Sequence, residues 1–299
     1  MKRKLVRQGK STLTLSLPAM WIKHKKLNEG DEVEISEYGE ILQIGSQAKK
    51  DLSKAKIDVS MLTDGMIWRI FMGLYRSGAD EIVIKHNGQL KVLTQVANQF
   101  IGYAITNQEK DRIVISDLSG LREIKFESIF KRLYFILLNS ASVLGRFFEE
   151  GKASDELASI NLTTNQFVDY ALRYLTKVGL ENSRKVTTYS QIISDMEIIV
   201  DVYVSLAEQI EMLDKKEIKN AFEIHKKISL FVKEFYEQTF NFDYEKLSSI
   251  YSKIRDIGID LGKIKNPSFE YHYIHIISVI KSAMSHIVLL NYEKFEDKN

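Results

Sequence analysis

The sequence predicts a multidomain protein with three regions. These are a β-rich N-terminal unit over residues 1–48, a small α/β segment over 52–120, and an all-α region over 121–299 built as a pair of three-helix bundles. Three observations predict it. Short runs with period-two alternation fill the first 48 residues, strand-type and helix-type runs then alternate, and beyond Leu121 only runs with helical apolar spacing remain. At roughly 100–200 residues per domain, 299 residues accommodate such a division.

In the first region the expected strands are Lys4–Gln8, Thr12–Leu17, Glu32–Glu37 and Glu40–Ile44, paired through turns at Gly9-Lys10 and Tyr38-Gly39. Pro18 suits the first position of a short helix over Ala19–Lys26, because its missing N–H has no partner to lose there. Asn28-Glu29-Gly30-Asp31 breaks that helix. The second region reads as strand Ile57–Val59, helix Leu62–Arg76, strand Glu81–Lys85, helix Gln89–Phe100, and strands Tyr103–Thr106 and Arg112–Ser116. The third reads as helices over 123–151, 155–178, 187–214, 216–240, 243–264 and 268–296. Asn266 is the expected N-cap of the last and Pro267 its first residue.

Composition narrows the function. Zero cysteines exclude disulfides, thiolate metal sites and cysteine nucleophiles, and fit a reducing cytoplasm. The N-terminus fails as a signal peptide: Leu13–Leu17 alternates and Lys23-His24-Lys25-Lys26 closes the stretch with charge. The apolar stretch Ile276–Leu290 contains Lys281 and His286, so no membrane insertion is expected. Met1–Asn28 holds eight basic residues and no acid, which leaves the other 271 residues at −6 under a net charge of +2. A basic end on an acidic body points to an anionic partner, with nucleic acid the usual one. Lys2, Arg3, Lys4, Arg7 and Lys10 are the candidate phosphate contacts. A unit of 48 residues buries little apolar area, so it is expected to fold with a second copy.

The run Lys4–Pro18, with Trp21 and then Leu27-Asn28-Glu29-Gly30-Asp31-Glu32-Val33, resembles the AbrB/MazE/SpoVT swapped-hairpin domain. The resemblance covers about 45 residues. It implies an intertwined homodimer formed through residues 1–48 that binds DNA through its early basic residues.

A second signal lies in the third helix of the α region. Asp195, Glu197, Asp201, Glu208, Glu211 and Asp214 fall in a stretch without a base. At about 100° per residue, Glu197, Asp201 and Glu208 share one face within about 40°. Ile192, Met196, Ile199, Tyr203, Leu206 and Ile210 lie opposite. Such a stripe fits a solvated face, or a site for a hard cation, iron or zinc, since carboxylates at i and i+4 converge. The segment Asp195–Asp201, running to Ala207-Glu208, is similar to the acidic signature helix of PhoU proteins. Six helices, preceded by a swapped-hairpin domain and a small α/β segment, match the order of the archaeal-type members of that family. The resemblance implies a phosphate-uptake regulator acting on DNA, with a divalent or ferric ion at Glu197, Asp201 and Glu208. The second signature position, Ser278–His286, has no acid pair, so a single weak metal site or none is expected and not two.

His225, His272, His275 and His286 fall on helices, with His272 and His275 at i, i+3. Glycines form no GxGxxG or Walker loop, and no nucleophile–base signature is visible, so no catalytic residue and no enzymatic activity are expected. The alternative function is an adaptor that never touches DNA. Its N-terminal unit only dimerises, and its helical region docks on a phosphate transporter ATPase or a signalling protein.

Overall fold

A computed structural model describes residues 2–38, 41–46, 52–119, 124–262 and 264–295. The expected turn residue Gly39, the strand start at Glu40, the boundaries at 48 and 120–123, and a helix end at 296 lie outside them. The chain divides into two compact units, Met1–Leu52 and Ser53–Asn299.

The N-terminal unit holds β1 (Val6–Gln8), β2 (Thr12–Thr14), α1 (Ala19–Lys25), β3 (Val33–Tyr38) and β4 (Ile41–Ser46). β1 and β2 form one antiparallel hairpin, β3 and β4 another. Both early strands are shorter than the alternation suggests. Pairing ends at Val6↔Thr14, and Leu15-Ser16-Leu17 continue unpaired toward Pro18. Pro18 precedes the helix as its extended N-cap (φ −63°, ψ 126°), one position earlier than predicted. The helix closes at Lys26, whose left-handed backbone (φ 53°) lets Leu27 N–H donate to Ile22 O at 3.1 Å.

In the second unit the expected α/β segment and helical region share one hydrophobic core. The α/β layer comprises β5 (Lys54–Asp58), α2 (Asp64–Arg76), β6 (Glu81–Lys85), α3 (Leu90–Gln99), β7 (Tyr103–Gln108) and β8 (Arg112–Asp117). The sheet order is β5-β6-β8-β7, with β5 and β6 parallel and the other pairs antiparallel. Register lines Ala55, Ile82, Ile115 and Ile105 in one cross-strand row and Ile57, Ile84 and Ile113 in the next. That β-branched face packs under Ile67 and Phe71 of α2 and Val92, Leu93 and Val96 of α3, all buried.

Six long helices follow: α4 (Phe126–Glu150), α5 (Glu156–Lys177), α6 (Arg184–Ala207), α7 (Lys215–Glu237), α8 (Tyr244–Leu261) and α9 (Pro267–Leu290). α4, α5 and α6 pack on one another, as do α7, α8 and α9; the two sets join through α6 against α9 and α4 against α7. The caps explain where the helices stop and start. α6 ends at Ala207, seven residues before its predicted end, and a 3₁₀ turn covers Ile210–Met212. Asp214 is taken as the N-cap of α7, where its Oδ1 accepts from Lys216 N–H and Glu217 N–H, each at 2.8 Å. Glu217 completes a capping box by accepting from Asp214 N–H at 3.3 Å. At α9, Asn266 Oδ1 accepts from Ser268 and Phe269 N–H with Pro267 first in the helix, as predicted. α9 stops at Leu290, where Asn291 Nδ2 donates to Ile287 O at 2.9 Å.

By length and composition α9 is apolar enough to cross a membrane, with Lys281 and His286 included. The physical reason for its apolarity here is packing. Phe269, Tyr273, Ile276, Ile280, Ala283 and Ile287 are fully buried, on the helix that joins the two three-helix sets.

Within that core His225 is 2% exposed, and burial pushes its imidazole pKa down to about 4, while its bond to Ala141 O works the other way. An unfolded histidine titrates near 6.5, so between those values the unfolded chain holds the extra proton. Stability therefore falls as pH is lowered from about 6.5 to about 4, by about 3 kcal/mol in all from this group. Urea midpoints measured across that range should fall with pH, and His225→Gln should flatten the slope; an unchanged slope would contradict the assignment.

Candidate functional site

Two sets of residues singled out by the sequence lie in the two separate units. In the first, Arg7 pairs across the hairpin with Leu13 and so shares its face, while Val6 and Thr14 share the other. Thr14 Oγ1 donates to Val6 O at 3.1 Å, and Gly9 turns the hairpin with φ +78°, which places Lys10 at its tip. Lys2, Arg3 and Lys4 precede β1. All five cations are exposed, and none has an ion-pair partner among the described residues. Where this unit's side chains are described none is buried; Leu5, Val6, Leu13, Leu15, Met20, Ile35 and Leu42 stand 47–65% exposed. Unpaired cations beside uncovered apolar side chains present a surface that can hold an anionic polymer and a second protein face.

The acid stripe of α6 is built differently from its sequence pattern. Glu197 lies against the α/β layer: Arg76 of α2 reaches it at 3.7 Å and binds Asp169 of α5 at 2.6 Å. Burial pushes the Glu197 carboxyl up, opposed by Arg76 and helped by Asp169 and Asp201. Burial also raises Asp169, with Arg76 again the opposing influence. Asp201 is exposed and accepts from Asn161 Nδ2 at 2.9 Å. Glu208 is the exposed C-cap of α6, beyond its last helical residue. Glu211 lies in the 3₁₀ turn and Asp214 caps α7, so neither continues the stripe. Asp195 is buried on the opposite side, with its Oδ2 3.7 Å from His286 Nδ1.

In the structure Arg76 faces Glu197, Asp201 accepts from an amide, and the described residues contain no group of three or more His, Asp or Glu placed to hold a metal. His272 Nδ1 lies 2.6 Å from Ser268 O and so donates within its own helix.

Sequence reasoning missed a dense, largely buried charge cluster among the described residues. Arg173 of α5 is fully buried; its Nη2 lies 2.6 Å from Asp117 Oδ2 and 3.8 Å from Asp80 Oδ1, and its Nη1 donates to Tyr75 O at 2.8 Å. The guanidinium carbon sits 4.8 Å from the Tyr75 ring centre and 5.3 Å from that of Tyr103. Lys177, one helical turn on, contacts Asp80 and lies 3.1 Å from Asp117 Oδ2. Burial acts to raise the Asp117 carboxyl, but hydrogen bonds from Ser119 and Arg173 hold it below the usual carboxylate range. Gly102 is required beside the cluster: its φ is +89°, and a Cβ there would come 2.4 Å from Ser119 Cβ. The available signal was Asp169, Arg173 and Lys177 at i, i+4, i+8 along one face of a helix.

No family model, curated protein or solved structure matches this chain.

Arg76→Ala leaves the buried Asp169 carboxylate bare and should lower stability by about 3 kcal/mol in urea unfolding. Glu197→Gln, which removes a charge whose burial is already costly, should change it by less than about 0.5 kcal/mol. Equal losses would show that Glu197 carries more than its contact with Arg76.

Proposed function

We propose that the protein is a homodimeric, DNA-binding regulator of phosphate uptake of the PhoU type, acting in the cytoplasm. The observation that carries the DNA reading is the N-terminal unit, where five exposed cations lack partners among the described residues and apolar side chains lie uncovered beside them. A second copy covers the apolar side chains, and the paired hairpins then set Lys2, Arg3, Lys4, Arg7 and Lys10 along the phosphates of a duplex. Swapped hairpins are the proposed form of that dimer. The phosphate assignment is supported by the resemblance of Asp195–Glu208 to the PhoU signature and by the order of the three regions.

In this proposal the helical region acts by population shift. A bound partner that prefers one of its arrangements favours one disposition of the two hairpin units and so changes operator affinity. The two three-helix sets, joined by α6 against α9 and α4 against α7, support reading the region as a PhoU-like bundle pair.

Promoter-fragment binding by fluorescence anisotropy, with salt varied, tests the DNA reading. Arg7→Ala combined with Lys10→Ala should weaken binding at least about tenfold at low salt and reduce the salt slope by about 2, as two phosphate contacts require. Unchanged binding would sink the DNA reading in favour of the adaptor.

A further inference from the structure

One layer of the helical core brings three polar side chains from three helices into apolar surroundings. Tyr203 comes from α6, His225 from α7 and Tyr273 from α9; both tyrosines are fully buried. The His225 ring centre lies 5.8 Å from that of Tyr203 and 6.4 Å from that of Tyr273. Phe148 flanks the imidazole at 5.4 Å, and Phe269 lies 6.4 Å from Tyr273.

The hydrogen-bond roles in this layer are fixed by one contact. His225 Nε2 lies 2.8 Å from Ala141 O, and a carbonyl only accepts, so Nε2 carries the proton and Nδ1 presents a lone pair. Ser229 Oγ sits on the same Nε2 side, at 3.1 Å. Neither Nδ1 nor the two phenol hydroxyls has a hydrogen-bond partner among the described residues. A buried polar atom left bare weakens folding by about tenfold, so three in one layer conflict with the tight packing around them.

Their roles are complementary. Two phenols offer O–H donors and the imidazole offers one acceptor. A single water accepts two hydrogen bonds and donates up to two, and buried waters usually make about three. We propose that this layer is an internal binding site for one ordered water molecule, which accepts from Tyr203 and Tyr273 and donates to His225 Nδ1.

The water ties α6 to α7 and α9, and so fastens the two three-helix sets where they meet. His225 also lines an open groove of about 440 Å³ between α4 and α7, with Ala141, Gly145 and Ser229. Its ring therefore has the groove on one side and the water layer on the other.

Tyr203→Phe, Tyr273→Phe and the double variant of the full chain, compared by urea unfolding, test the site. Each single change should lower the folding equilibrium constant about fivefold. The double should lower it by less than the product of the two, because both hydroxyls bind the same water. A crystal structure of the unaltered protein should show one water within hydrogen-bonding distance of the three atoms. Folding constants that are unchanged or raised in the single variants, or a crystal structure with no water there, would overturn the proposal.

Discussion

Arg173 is the constraint on which the second unit depends. A guanidinium with no exposure is tolerable only when its charge is matched and its N–H groups are used, since stripping the hydration from an unpaired ion costs several kcal/mol. Asp117, Asp80, the Tyr75 carbonyl and two aromatic faces meet most of those needs, while Nε is left without a hydrogen-bond partner among the described residues. Each partner is held in turn by the fold. Tyr75 OH donates to Ile101 O at 2.6 Å, Tyr103 OH donates to Ala79 O at 2.8 Å, and Asp80 accepts from Ser53 N–H at 2.8 Å. The cluster thus fixes the end of the sheet, the C-terminus of α2 and the C-terminal end of α5 relative to one another. Arg76 adds a second tie from α2 to α5 and α6. An α/β segment of about 65 residues, small for an independent domain, is in this way part of the helical body.

The same cluster shows what a sequence can and cannot reveal. Helix identity was legible because apolar residues recur at helical spacing: Phe130, Leu133, Leu137, Leu144 and Phe147 trace one buried stripe along α4. Strand identity in the sheet was legible from Ile82, Ile84, Ile113 and Ile115 at period two. The end of α6 was not, because acidic and apolar residues continue past Ala207 and the stop depends on whether Asp214 ends one helix or caps the next. The acid stripe was legible as a pattern, and its partner was not. Arg76 lies more than a hundred residues before Glu197, and only the docking of α2 on α5 brings it there. Arg173 and Asp117 are separated by 56 residues, and no local spacing announces that pair.

The two units use charge in opposite ways. Around Arg173 and Arg76 cations are consumed by buried carboxylates, and the result is rigidity. On the N-terminal hairpin Arg7 and Lys10 are exposed and have no ion-pair partner among the described residues, and no side chain described in that unit is buried. That contrast separates a buried, paired charge cluster from an exposed, unpaired one more clearly than net charge does, since +2 for the whole chain conceals both. Glu197, on the acid stripe, faces Arg76 at the joint between layers.

The central claim, that buried ion pairing around Arg173 makes the α/β layer and the helices one cooperative body, is tested most directly by native-state hydrogen exchange on Arg173→Met. In the unaltered protein, core amides of β6, β8, α4 and α6 should exchange through one global opening of equal free energy. In the variant, the β6 and β8 amides should exchange through a separate opening at least about 2 kcal/mol lower than that of α4 and α6. Equal protection of sheet and helices in the variant would contradict the account.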